Sequence, residues 1–174
     1  MSILFNGRWK IDFSESKVWD RDRQCYVSDD VGEEIITITV RDGVQDYDVL
    51  YGDNPIIRLG YTSRYDAPEW VPYLVREIIA LPGQDVAQVV SAFRKRTKSD
   101  DGVNARRFEV GKPYGFLRIA LVDDRTHYRI NRAEDGAAQY VMMRRLAEDG
   151  RSYLATIMDV TGVVFRIRRF VRIE

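Results

Sequence analysis

One cysteine and one histidine in 174 residues set the first limits. Cys25 has no second thiol to pair with, so no internal disulfide staples the chain and no oxidising compartment is required. Cys25 and His127 together fall short of a zinc-type ligand set, and no metal is expected. Neither sign of charge is in excess: 27 basic side chains meet 27 acidic ones. A chain without a net field lacks the grip that nucleic acid or an anionic membrane selects, so neither is an expected partner. No apolar run approaches the roughly 20 residues that cross a bilayer. Met1–Phe5 carries neither the basic nor the apolar region of a secretion signal. A cytoplasmic location is therefore the expectation. Also missing are a glycine-rich phosphate loop, a Gly-x-Ser-x-Gly elbow, a repeat of solenoid length and any low-complexity tract. No cofactor is expected.

What the sequence does have is alternation. Phe5–Phe13 puts Gly7, Trp9, Ile11 and Phe13 on one side and Arg8, Lys10 and Asp12 on the other, a strand with one dry and one wet face. Ser14–Gly32 is polar and expected to be irregular. Glu33–Arg41 is dense in β-branched residues, Asp42-Gly43 is a two-residue hairpin turn, and Val44–Tyr51 returns. That turn pairs Arg41 with Val44 and puts Ile36, Ile38, Val40, Gln45, Tyr47, Val49 and Tyr51 on one face. Ile56–Tyr65 continues with Ile57, Leu59, Tyr61, Ser63 and Tyr65 together. Tyr73–Leu81 is a fifth strand with no clear face.

Asp85–Lys98 fits either an edge strand or a helix capped by Asp85, with Val86, Val89, Val90 and Phe93 along one side; the helix is preferred. Arg94-Lys95-Arg96-Thr97-Lys98 and Arg106-Arg107 form a basic cluster, expected as a solvated loop face. Arg107–Val110 is a short candidate strand. Then comes a meander: Phe116–Val122, Thr126–Arg132, Ala138–Leu146, Ser152–Val160 and Val163–Ile173, with turn residues between. The expectation is a single domain over 1–174, an all-β antiparallel up-and-down barrel of about eight to ten strands with one short helical or irregular insertion.

Gly7-x-Trp9 on a first strand, a long connection and a meander ending in an Arg-rich strand resemble the calycin group, which includes lipocalins and fatty-acid-binding proteins. The resemblance implies a barrel whose first-strand Trp closes one end, with an Arg of the last strand stacked over it. Arg166, Arg168, Arg169 and Arg172 are the candidates, and Gly7, Trp9 and Arg169 are taken as the barrel-end set. The run from Gly7 to Lys17 is similar to the opening of bacterial lipocalin-like proteins. There are departures. A second lipocalin motif of the Thr-Asp-Tyr kind is missing. Ser14–Gly32 does not carry the two helices that fatty-acid-binding proteins place after strand one. Their Arg-x-Tyr has no counterpart in Arg166–Arg172. The glycine-rich motif of nitrobindin-like barrels is also missing, so haem is not implied.

Chemistry is sought among inward side chains. Tyr47, Tyr51, Tyr61, Tyr65 and Tyr128 are expected to face the bore, each with a hydroxyl that needs a partner. A two-residue turn after Val122 puts Thr126, Tyr128 and Ile130 inward and His127, Arg129 and Asn131 outward. His127 is thus expected at the surface. Carrying the pairing onward makes Val141, Met143, Arg145, Leu154, Thr156, Met158, Phe165, Ile167 and Arg169 inward. A tight turn at Asp135-Gly136 adds Arg132. An inward Arg among tyrosines needs an anion or a full set of acceptors.

The expected ligand-binding set is Tyr47, Tyr51, Tyr61, Tyr65, Tyr128, Arg132, Met143 and Arg145. The expected function is binding of a small apolar or aromatic molecule that can bear a carboxylate, with Arg132 or Arg145 as anion anchor. Two alternatives stand beside it. One is an enzyme using Tyr and Arg for acid–base and anion stabilisation in the same cavity, with catalytic residues unassigned. The other is a structural or interaction barrel using the basic cluster and the Trp70 loop. Homo-oligomers are compatible with all three.

Overall fold

β-branched and aromatic residues alternate with charged ones over most of the chain, and the structure turns that pattern into strands. In the computed structural model, which describes residues 4–29, 32–96 and 108–174, the elements are β1 (Gly7–Asp20), β2 (Cys25–Ser28), β3 (Glu34–Arg41), β4 (Val44–Tyr51), β5 (Ile56–Arg64) and β6 (Val71–Ile79), then α1 (Val86–Arg96), then β7 (Pro113–Asp123), β8 (Thr126–Arg132), β9 (Ala138–Leu146), β10 (Ser152–Asp159) and β11 (Val164–Arg172). Ten strands close into an antiparallel barrel, in the order β1-β3-β4-β5-β6-β7-β8-β9-β10-β11, with β11 returning to β1. Closure leaves no free sheet edge in the wall. No helix of the described residues is long and apolar enough to cross a membrane.

Ser14–Gly32 is not irregular as expected. β1 runs on to Asp20, turns, and returns as β2, which pairs with the far half of β1 only. Local chemistry explains the hairpin. Asp20 Oδ1 accepts from the backbone N–H of Asp22 and of Arg23, the turn-making use of an Asp side chain. Trp19 and Tyr26 face each other across the pair at 5.1 Å, and Tyr26 Oη donates to Val164 O at 2.7 Å, tying the hairpin to β11. The helical alternative for Asp85–Lys98 is the one found. Asp85 Oδ1 accepts from Gln88 N–H at 2.9 Å as an N-cap, and Phe93 is buried. Residues 97–107, with Lys98, Arg106 and Arg107 of the basic cluster, lie outside the described residues. Phe108–Val110 forms no strand.

Register follows expectation through the first half of the barrel. Arg41 pairs with Val44, Ile38 with Tyr47 and Tyr47 with Tyr61. Val40, Gln45, Tyr47, Val49, Leu59, Tyr61 and Tyr65 are all buried. In β6 the pairing slips by one residue around Arg76, which explains why Ile78 and Ile79 gave no clean face. The second half is inverted relative to expectation, and one residue causes it. Asp123 pairs with Thr126, but Leu121 then pairs with His127, leaving Val122 as a bulge residue. A one-residue slip exchanges the faces of the next strand. His127, Arg129 and Asn131 therefore point into the barrel and are buried. The turn at Thr161-Gly162 would pair Met158 with Phe165, but a bulge puts Met158 opposite Val164. The turn at Asp149-Gly150 pairs Met143 with Thr156 as expected, and Tyr128–Met143 and Thr156–Ile167 are also partners. They lie on the outer face.

Trp9 plugs the end from which β1 starts. It is fully buried, and its Nε1 donates to Phe5 O at 3.0 Å. The stacked arginine is Arg172, 4.2 Å over the ring, not Arg169, which lies outside near Asp12 and Glu15. Arg172 also donates to the carbonyls of Gly150 and Leu4, at 3.0 and 2.8 Å, and to that of Asn6. Gly7 makes room for this clamp. Its φ is +135°, and a Cβ there would sit 2.6 Å from Arg172 Nη1 and from the Glu174 carbonyl oxygen. Gly7→Ala should destabilise the fold by about 1–3 kcal/mol through strain at that φ. Urea unfolding would show it as a lower midpoint with an unchanged slope.

Candidate functional site

Inward positions of β4 and β5 build one wall of the bore. Tyr47 and Tyr61 are direct cross-strand partners with stacked rings at 4.8 Å. Tyr73 of β6 meets both edge-on, at 6.1 and 5.5 Å. Gln45 joins the phenols: its Oε1 accepts from Tyr61 Oη and its Nε2 donates to Tyr65 Oη, each at 2.8 Å.

β8 and β9 supply the opposite wall. Arg129 Nε donates to Asn131 Oδ1 at 3.2 Å and Nη2 donates to Tyr140 Oη at 2.9 Å. Its guanidinium lies 5.7 Å from the Tyr47 ring centre and 5.1 Å from that of Tyr73. Arg144 lies 4.7 Å over Tyr47. Its Nη1 is 3.5 Å from Tyr61 Oη and 3.4 Å from His127 Nε2. His127 is packed edge-on by Phe5 at 4.5 Å and by Tyr65 at 5.7 Å.

Several buried donors in this cluster meet no acceptor: Arg129 Nη1, Arg144 Nε and Arg144 Nη2. Among the described residues neither arginine forms an ion pair, although Arg129 is only 3% exposed and Arg144 1%. A lone guanidinium out of water costs several kcal/mol even after the protein relaxes. It does not shed its proton. Burial works against both charges, but the tyrosine oxygens outweigh it and keep the two guanidinium pKa values above the ordinary arginine value. The phenols do not supply the countercharge near neutrality. Burial pushes Tyr47 up to about 12, with Arg144 and Arg129 pulling the other way, and raises Tyr73 well above its usual value. Burial first, and the two arginines after it, hold His127 well below the usual histidine range, so it is neutral.

Toward the helix-capped end the charges are matched. Arg168 Nε donates to Asp29 Oδ2 at 2.7 Å and its Nη1 to Glu34 Oε2. Arg166 lies 3.1 Å from the same Asp29 oxygen. Phe93 of α1 meets Tyr51 at 5.6 Å and Phe108 at 5.6 Å, closing that end. Two concavities open outside the bore. One, of about 520 Å³, is lined by Asn6, Arg8, Thr39, Arg41 and neighbours. The other, of about 410 Å³, lies at the mouth between Asn54, Gln84 and α1, and includes Phe93. Neither includes a residue of the arginine cluster.

Of the residues expected to line the bore, Tyr47, Tyr61 and Tyr65 do so, and Tyr51 is partly buried against the core. Tyr128 and Met143 sit half-buried on the outer face, and Arg145 is exposed there. Arg132 lies outside, 4.4 Å over Trp70. The inward arginines are their neighbours in sequence, Arg129 and Arg144. His127 is inside, not at the surface. Tyr73, Tyr140, Arg129, Arg144 and Arg168 were missed. β9 and β10 carry apolar residues on both faces, so only the turn before β8 distinguished the faces, and the bulge sits at that turn.

No family model and no curated protein sequence matches the chain. Among solved structures, the Schistosoma mansoni fatty acid binding protein in complex with arachidonic acid is similar with a TM-score of 0.56 at 12% identity, over 100% of both chains. The zebrafish ileal bile acid-binding protein complexed with cholic acid gives a TM-score of 0.47 at 8% identity, over 98% of this chain and 99% of that one. The first of these shows the fold alone: a closed antiparallel β-barrel like that of a fatty acid binding protein. The helices that this resemblance places after the first strand are replaced here by the β1–β2 hairpin. The helix of this chain lies between β6 and β7.

Because folded His127 resists protonation, the unfolded chain binds a proton from about pH 6.5 downward that the folded chain refuses. Stability should therefore fall on acidification between about pH 6.5 and 5, by up to about 1.4 kcal/mol per pH unit. Denaturation midpoints across that range would show the decline, and His127→Gln should flatten it.

Proposed function

We propose that the chain acts as one domain that binds a small anionic molecule with an apolar or aromatic body inside the barrel, its anionic group on Arg129 and Arg144. The observation that carries this reading is a pair of buried guanidiniums with open donors and no carboxylate against them. Aromatic rings with a few convergent polar groups are the kind of lining such a ligand takes. The stacked pair Tyr47–Tyr61, with Tyr73, offers flat faces for a planar body. Likeness to a fatty acid binding protein supports the same use of the bore. Cys25, the single cysteine and exposed, suits a reducing, cytoplasmic setting.

A binding role leaves a signature that a purely structural one does not. Replacing a buried charge by an apolar side chain of similar length commonly stabilises a fold, by about 1–4 kcal/mol where charged groups were buried. Arg144→Met should raise the melting temperature of ligand-free protein and remove the bound molecule. Native mass spectrometry of protein purified without denaturation should find a small acid on the wild type and none on Arg144→Met. Retention of the same molecule by Arg144→Met, together with a lower melting temperature, would contradict the assignment.

A further inference from the structure

We infer that the molecule held in the bore is a compact dianion, a short dicarboxylate or a phosphate, rather than a long-chain acid with a single carboxylate. This rests on the reading of the bore as the ligand site and adds the charge and size of what it takes. Charge comes first. Four guanidiniums reach inward from β8, β9 and β11: those of Arg129, Arg144, Arg166 and Arg168. Among the described residues, two carboxylates face them, Asp29 and Glu34. Asp29 is engaged by Arg166 and Arg168, and Glu34 by Arg168. The acids are thus used up at the helix-capped end, and Arg129 and Arg144 keep one positive charge each. The neutral His127 beside them adds nothing to that sum and takes nothing from it.

Donor geometry agrees. On Arg144 the open nitrogens are Nε and Nη2. Those two share one edge of the guanidinium, the edge that grips a carboxylate or phosphate with two parallel hydrogen bonds. Arg129 has spent Nε on Asn131 and Nη2 on Tyr140, and keeps Nη1. The site therefore offers one full fork and one single donor on separate cations, both above the ring of Tyr47. A lone carboxylate that fills the Arg144 fork leaves the second charge unmatched. Two anionic groups on one small body, or one doubly charged group between the cations, match both.

Size follows from packing. Tyr47, Tyr61 and Tyr73 fill the bore beside the arginines, and Phe5 and Trp9 close the far end. The two concavities lie outside. A long acyl chain finds no room along that axis without displacing several rings.

Calorimetric titration of the wild-type chain at fixed ionic strength tests this with four probes: isophthalate, benzoate, inorganic phosphate and decanoate. Isophthalate should bind about 10- to 100-fold more tightly than benzoate, the worth of one further charged hydrogen-bonded contact. Arg129→Gln should bring isophthalate down to the level of benzoate, and Arg129→Lys should keep most of the difference. Phosphate binding equal to or tighter than isophthalate keeps the dianion and assigns it to phosphate chemistry. Benzoate as tight as isophthalate and phosphate, or decanoate tighter than all three, would overturn the inference while leaving the bore a ligand site. If none of the four binds, both the inference and the site assignment fall.

Discussion

Positive charge held away from water without an opposite charge is the constraint around which this barrel is arranged. Arg129 and Arg144 stand among tyrosines, glutamine, asparagine and a neutral histidine. Phenol faces and oxygens soften the cost of burying a cation, and each ring here serves more than one purpose. Tyr47 stacks on Tyr61, lies beneath both guanidiniums and stays protonated with a pKa near 12 because burial disfavours its anion. Softening is not cancellation. Folded domains keep only about 5–15 kcal/mol in hand, and two uncompensated cations consume several each. The rest of the structure must hold the two cations in place against that expense.

Both barrel ends do so by fixing the wall. At one end Trp9 and Arg172 form a clamp, with carbonyls of Leu4, Asn6 and Gly150 converging on one guanidinium. Phe5 runs from that clamp to His127, so the plug and the charged cluster are in contact. At the other end Arg166 and Arg168 are ion-paired with Asp29 and Glu34 between β11, β3 and the chain after β2. The contrast is informative. Among the described residues the chain builds ion pairs on β11 and leaves two arginines without them on β8 and β9, on the far side of β10.

The sequence made the barrel legible and left the site half hidden. Asp42-Gly43 fixed one hairpin, and from it the inward tyrosines 47, 61 and 65 followed by alternation. Gly7, Trp9 and an Arg-rich last strand pointed to the plugged end, with the wrong arginine. The failure has one physical origin. Val122 bulges out at the end of β7 and is exposed, so the next strand enters with its faces exchanged. The pairing set by the Asp149-Gly150 turn was anticipated, and it carried the exchange from β9 to β10; between β10 and β11 the pairing is regular as far as Ile157. Arg129 and Arg144 were thereby taken for surface residues and Arg132 and Arg145 for anchors. A bulge is decided by twist and packing at a barrel end, which single-residue preferences do not encode. The β1–β2 hairpin was hidden for a different reason: it is held by Trp19, Tyr26 and one aspartate turn within an otherwise polar stretch.

Similarity to a fatty acid binding protein at 12% identity fixes the architecture, while the chemistry rests on these side chains alone. The open donors of Arg129 and Arg144 are the reason an anion is proposed between them. A crystal soaked in sodium bromide, measured at the bromine absorption edge, tests it directly. An anomalous peak is expected within hydrogen-bonding distance of Arg144 Nε and Nη2 or of Arg129 Nη1. A bore without anomalous signal there, with either guanidinium turned onto a carboxylate of the chain itself, would contradict it.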